Sequence, residues 1–173
     1  MTNHTNTSGF FPGPTVVRSV TKLTVWMRLV AAFYLIQFVM MVFVRAPIRT
    51  FGPPGALAQA DAGDPVAKFL VDTWLTFGLE VGAIGGALVI ASRRPQQARG
   101  VVWTVLGIEL TRGIANDLYM IARGIKVPGY VIWIVIHSVV IATGLLALRA
   151  AKAGEVDSSS TSPAPMRSRR AAV

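Results

Sequence analysis

Residues 22–44 read KLTVWMRLVAAFYLIQFVMMVFV, and this stretch decides the class of fold. It is apolar and long enough to cross a bilayer as a helix, which takes about 20 residues. Three further runs share this character: FLVDTWLTFGLEVGAIGGALVIA at 69–91, and the runs at 101–122 and 130–148. Backbone polar groups in lipid must be bonded within the chain, so each run is expected to be helical. The sequence therefore predicts an all-α fold, a four-helix transmembrane bundle.

The composition of the 173-residue chain supports this class. Hydrophobic residues make up 53% and charged residues 14%, whereas soluble domains carry about 25% charged residues. The absence of cysteine excludes disulfides, thiolate catalysis and cysteine metal sites. With only His4 and His137 present, and His4 in a polar tail, neither a zinc site nor a bis-histidine haem is expected. We therefore expect no metal and no cofactor.

The distribution of basic residues predicts the organisation and orientation of the chain. Lys and Arg outside the interiors of the runs, with Lys22 at the edge of the first run included, number ten on one side of the predicted bundle and five on the other, which predicts that both termini are cytoplasmic. Because they lie in connections and tails, the net charge of +9 does not indicate a nucleic-acid partner. We predict a cytoplasmic segment at 1–21, the bundle at 22–150 and a disordered, basic tail at 151–173.

Two local features complete this outline. The first connection is rich in Gly, Pro and Ala, and it is expected to hold a short surface helix around residues 56–60. The first run is too long for the apolar core of a signal peptide and contains Arg28, so it is expected to remain as a mature helix.

Polar residues interrupt all four runs. At about 1.5 Å per residue, Glu80 and Arg112 fall at the middle of their runs, and Glu109 and His137 fall within about 4 Å of it. A charge at the bilayer centre costs about 2.5–3.5 kcal/mol on insertion scales, so such groups are expected to face the interior of the bundle. The predicted cluster consists of Glu80, Glu109, Arg112, His137, Asn116, Asp117, Asp72 and Arg28.

The spacing within the third run predicts which of these groups share a face. Glu109, Arg112 and Asn116 lie at i, i+3 and i+7, which is one stripe of an α-helix and allows an ion pair between Glu109 and Arg112. Asp117 is expected about 80° away from that stripe.

Two interpretations of the cluster stay open. In the first, Arg112 and Arg28 neutralise buried carboxylates, namely Glu80 and Glu109, and His137 contributes a hydrogen bond. In the second, the groups line a polar cavity that binds a ligand or moves a proton. The runs hold four acids against two arginines, so two acids lack a formal partner.

Three segments carry a resemblance to a known family: VDTWLTFGLE at 71–80, VWTVLGIELTRGIANDLYMIARG at 102–124 and IVIHSVVIATGLLALR at 134–149. Together they resemble the BphX-like family of small bacterial membrane proteins, over roughly 23–149. More loosely, the bundle resembles the DoxX-like membrane proteins. The resemblance implies a multi-pass protein of the bacterial inner membrane, and it implies no established activity and no catalytic residues.

The leading functional hypothesis is a non-enzymatic membrane protein. It would bind, or help to move, a small apolar or aromatic molecule through the polar cluster. Arg112 would anchor an anion or act as a counter-ion, with Glu80 and Glu109 as its partners or as proton acceptors. His137 would be the group that responds to pH.

The alternative is a non-catalytic subunit or assembly factor of a larger membrane complex. Gly78, Gly82 and Gly86 lie at i, i+4 and i+8, and small residues at this spacing let helices approach closely, within a bundle, a homo-oligomer or a complex. The small size and the absence of catalytic motifs fit this alternative. A third class, a subunit of a membrane redox enzyme, would carry a bound chromophore.

Overall fold

A computed structural model describes residues 14–125 and 127–160, and helices account for the regular structure of these residues. The predicted all-α class is therefore confirmed. In chain order the elements are α1 (Pro14–Val42), α2 (Ala46–Phe51), α3 (Ala56–Asp61), α4 (Pro65–Ala91), α5 (Arg99–Ile108), a π-helical segment (Glu109–Ala115), α6 (Asn116–Ala122) and α7 (Val127–Ser160).

The segments α5, π and α6 form one continuous helix, called here the composite helix. Ile108 and Glu109 at one junction, and Ala115 and Asn116 at the other, all have right-handed helical backbone angles. The π-helical segment is seven residues long. Most π-helices are single-turn insertions within α-helices, and they are frequent at functional sites.

Within the described residues, three helices are long and apolar enough to cross a membrane, at Thr21–Val42, Pro65–Ala91 and Val127–Gly154. They coincide with the first, second and fourth runs of the sequence, and they support association with a membrane. The composite helix consists of segments of 10, 7 and 7 residues and carries the predicted third span. Large apolar side chains such as Leu29, Phe43 and Ile90 are exposed on the outside of the bundle, as expected in contact with lipid.

The bundle consists of α1, α4, the composite helix and α7, and the packing of α1 against α7 joins its two halves. Helix α1 packs along both α4 and α7, and the composite helix packs along α7. A dry core fills the end of the bundle where α5 begins, and it includes Leu23, Met27, Leu88 and Val102, each no more than 1% exposed. This end is the predicted cytoplasmic one.

The boundaries of α1 and α7 differ from the predicted ones. Helix α1 begins at Pro14, before the predicted start, and proline suits the first position of a helix. Helix α7 continues to Ser160, so the predicted disorder of the tail is wrong for 151–160. Its segment AAKAGEV contains good helix formers and no proline. The rest of the predicted tail, and residues 1–13 of the predicted cytoplasmic segment, lie outside the described residues. The short helix expected around 56–60 is confirmed as α3.

Glycines on α4 allow a close approach to α1. A Cβ atom added to Gly78 would lie 2.9 Å from the Cβ of Met41, and one added to Gly82 would lie 2.7 Å from the ring of Phe38. The third member of this face is Gly85 rather than the predicted Gly86, whose added Cβ would meet no atom within 4 Å. The spacing i, i+4, i+7 follows the 3.6-residue period of the helix, whereas i+8 drifts away from the contact.

Candidate functional site

A cavity of about 820 Å³ opens in the bundle beyond the dry core, at the predicted outer end. It is lined from α1, α2, α4, α7 and the composite helix. Seven of the eight residues of the predicted cluster line it: Asp72, Glu80, Glu109, Arg112, Asn116, Asp117 and His137. Its aromatic lining consists of Tyr34, Phe51, Phe69, Trp74, Phe77, Tyr130 and Trp133.

Helix packing explains where the cavity lies. Helix α4 packs against α5, but farther along, the π-helical segment and α6 pack against α7 instead. Side chains of both α4 and the π-helical segment line the cavity, which thus separates these two elements. At the far end, Phe51 of α2 packs against Tyr130 of α7, with their ring centroids 5.7 Å apart.

An ion pair crosses the gap between α4 and the composite helix. Arg112 Nη1 donates to Glu80 Oε2, and the two side chains are about half exposed, at 50% and 47%. The Arg112 guanidinium also lies over the ring of Phe77, with Cζ 4.6 Å from the centroid. Arg112 therefore neutralises Glu80, as the network interpretation predicts. The ion pair with Glu109 that the spacing allows is not the one that Arg112 makes, because Arg112 reaches across to Glu80 on α4.

Glu109 is the most deeply buried charged group of the cluster, with 2% of its surface exposed. The hydroxyl of Tyr34 on α1 donates to its Oε1, and Nδ1 of His137 on α7 contacts its Oε2. One carboxylate thus links three helices. Buried carboxylates require such partners, since an unpaired buried charge is strongly destabilising.

His137 lies between two carboxylates. Its Nδ1 faces Glu109, and its Nε2 lies 3.6 Å from Oδ2 of Asp117, beyond hydrogen-bonding distance. Asp117 is only 5% exposed, and within the described residues its Oδ2 has no hydrogen-bond partner. The ring of Trp133 packs beside His137, at 5.9 Å between centroids. The row Glu109–His137–Asp117 therefore ends on an unsatisfied oxygen at the cavity.

The π-helical segment determines which residues form this row. Glu109, Gly113 and Asp117 are buried at steps of four, whereas Arg112 and Asn116 are exposed. The predicted stripe of Glu109, Arg112 and Asn116 lines the cavity, but only Glu109 of the three is buried. A π-helix bonds i to i+5 and holds more residues per turn, so side chains three apart diverge and those four apart align.

The BphX-like family matches residues 20–153, which is most of the chain and includes the whole cluster. The chain belongs to the BphX-like family. Two relatives are the "Uncharacterized BphX-like protein" of Burkholderia cepacia and the "Uncharacterized BphX-like protein Bxeno_C1129" of Paraburkholderia xenovorans (strain LB400). Each is 30% identical over 125 residues, which cover 70% of this chain and 86% of the relative. No solved structure matches the chain.

Within this BphX-like chain, one predicted site residue lies away from the cavity. Arg28 is exposed on α1, while the buried face of that helix carries Met27, Ala31 and Tyr34. Its predicted role as a neutralising partner of Glu80 or Glu109 is therefore wrong. The sequence placed Arg28 at a suitable depth, but depth does not fix the face of the helix.

The structure also adds Tyr34, which the sequence did not single out. Its only signal there is a phenol in the middle of an apolar helix, where a hydroxyl needs a partner. A shared metal site is not apparent either, since no group of three or more His, Asp or Glu side chains in the described part of the chain could hold an ion. The site is thus a hydrogen-bonded, aromatic-lined cavity.

Proposed function

We propose that the protein is a non-enzymatic, membrane-embedded binding protein for a small apolar or aromatic molecule. The observation that carries the proposal is the cavity of about 820 Å³, in which aromatic side chains and a few polar groups face the same space. Ligand sites commonly have volumes of about 300–1,000 Å³ and combine an apolar lining with a small number of orienting polar groups.

The gap between α4 and the π-helical segment supports entry of the ligand from the bilayer. In a bundle that spans the membrane this gap faces lipid, where an apolar molecule is concentrated. The half-exposed Glu80–Arg112 pair and the ring of Phe77 lie across it. A molecule that passes this pair reaches the aromatic walls and the row of Glu109, His137 and Asp117.

We propose further that the bundle resides in the bacterial inner membrane with both termini in the cytoplasm. The excess of Lys and Arg, ten against five, supports this orientation. A single cysteine introduced at Gln96 or at Ala62, both exposed, in the cysteine-free chain is expected to react with an impermeant maleimide from the cytoplasmic or the outer side, respectively. The orientation would be contradicted if the first position reacted only from the outer side and the second only from the cytoplasmic side.

Filling the cavity is expected to abolish most ligand binding. Thr76 lines the cavity, and its hydroxyl donates to the carbonyl of Asp72 in its own helix. In Thr76→Trp the indole occupies the cavity, so the affinity for the probe 4-fluorotoluene should fall by about tenfold or more, or about 1.4 kcal/mol. Binding is followed by ¹⁹F NMR on protein in zwitterionic lipid nanodiscs, with empty nanodiscs correcting for partition into lipid.

Thr104→Trp provides a matched control. Thr104 is exposed on the composite helix and also donates to a carbonyl four residues earlier, but it does not line the cavity. This variant should bind the probe as the unaltered protein does. The proposal fails if the unaltered protein takes up no more probe than empty nanodiscs do, or if the two variants lose binding equally.

A further inference from the structure

We infer that the ligand is a lipophilic organic cation, an apolar or aromatic body carrying a protonated amine, whose N–H binds Asp117. The inference rests on the proposed function and specifies the class of molecule that the cavity takes. Three features carry it: the charges that line the cavity, the unsatisfied oxygen of Asp117 and the aromatic rings nearby.

The ionisable lining of the cavity is predominantly acidic. It contains four carboxylates, from Asp72, Glu80, Glu109 and Asp117, against one arginine and one histidine. Arg112 is already paired with Glu80. Even a protonated His137 supplies one positive charge to the two carboxylates beside it. Acidic groups therefore outnumber basic groups in the lining, which favours a cation over an anion.

Asp117 offers a specific contact point for that cation. The residue is 5% exposed and lines the cavity, and its Oδ2 has no hydrogen-bond partner among the described residues. A buried carboxylate oxygen left without a partner is costly, because it has lost its hydrogen bonds to water. An ammonium N–H at this oxygen would supply both the missing hydrogen bond and the opposite charge.

The walls around Asp117 suit the apolar body of such a ligand. Trp133 lies beside His137, and Tyr130 and Trp74 line the same cavity. Aromatic faces carry negative electrostatic potential and attract ammonium groups, most strongly when the site is desolvated. The combination of one carboxylate and several rings selects a cation with an apolar body over a small hydrated ion.

Three probes of nearly equal shape test the inference. They are 4-fluorobenzylammonium, 4-fluorobenzyl alcohol and 4-fluorotoluene, measured by ¹⁹F NMR on the full chain in zwitterionic nanodiscs. After correction with empty nanodiscs, the ammonium is expected to bind about tenfold or more tightly than the alcohol, as charged hydrogen bonds do. Asp117→Asn should lose this preference and still bind 4-fluorotoluene. Asp117→Glu, which keeps the carboxylate, should retain part of it.

Asp61→Asn is the matched control, because Asp61 is exposed on α3 and does not line the cavity. It should leave all three affinities unchanged. Equal or tighter binding of the alcohol or of 4-fluorotoluene by the unaltered protein overturns the inference and leaves the proposed function standing. Retention of the ammonium preference by Asp117→Asn overturns it as well. Uptake of all three probes no greater than by empty nanodiscs overturns the proposed function itself.

Discussion

Glu109→Ala is expected to lower the free energy of unfolding by about 3–5 kcal/mol, which is the usual cost of removing one partner from a buried ionic contact. The hydroxyl of Tyr34 and the ring of His137 both lose their partner, and the small side chain leaves a void. Unfolding in mixed micelles, followed by circular dichroism during titration with sodium dodecyl sulfate, measures the change.

Glu80→Ala is the comparison for this result. Glu80 also loses an ion pair, but it has one partner where Glu109 has two, and Arg112 keeps its contact with the ring of Phe77, so the expected cost is smaller than for Glu109→Ala. Glu109→Gln should fall between the two, because its amide oxygen can still accept from Tyr34. If the Glu109→Ala protein were as stable as the Glu80→Ala protein, Glu109 would not be the residue that holds the three helices together.

Gly113→Ala is expected to destabilise the protein by about 1–3 kcal/mol, the typical cost of adding a methyl group to a packed site. The new Cβ would lie 2.6 Å from Nδ1 and Cγ of His137, so the ring must move. Because that ring lies between Glu109 and Asp117, the binding of 4-fluorobenzylammonium should weaken together with stability. The same micelle titration and ¹⁹F NMR measurements report both effects.

Gly107→Ala tests whether these losses come from the contact with His137. Gly107 lies on the same composite helix, and an added Cβ there would meet no atom within 4 Å. Alanine should raise stability by about 1 kcal/mol through its helix propensity. In addition, His137→Ala in the Gly113→Ala background should cost less than His137→Ala alone, since the clash is then absent. A purely additive pair of changes would contradict the proposed contact.

The sequence predicted the helices and most of the ionisable residues that line the cavity, because both depend on composition and depth. Runs of apolar residues define helices that fit a membrane, and ionisable groups near the middle of such runs must turn inward. Seven of the eight predicted residues therefore line one cavity. Arg28 is the exception: it lies at a suitable depth in the bundle, but on the exposed face of α1.

The sequence could not predict the partners within the cluster. Its pairing of Glu109 with Arg112 assumed the 3.6-residue period of an α-helix, whereas these residues lie in a π-helical segment. That segment is accompanied by a tertiary contact, the ring of His137 against Gly113, which no local pattern reveals. Tyr34 was missed for a similar reason, because its role depends on a hydrogen bond to Glu109, which lies on another helix.

The three-way contact at Glu109 also constrains the order in which the protein can be completed during synthesis. Tyr34 emerges from the ribosome with the first long helix, Glu109 with the composite helix, and His137 only with α7. Until α7 arrives, the Glu109 carboxylate has one of its two partners, and the ring of His137 is not yet beside Asp117. The nascent chain must therefore hold a helix with incompletely bonded carboxylates until its last segment is made, and packing of that segment completes the bundle.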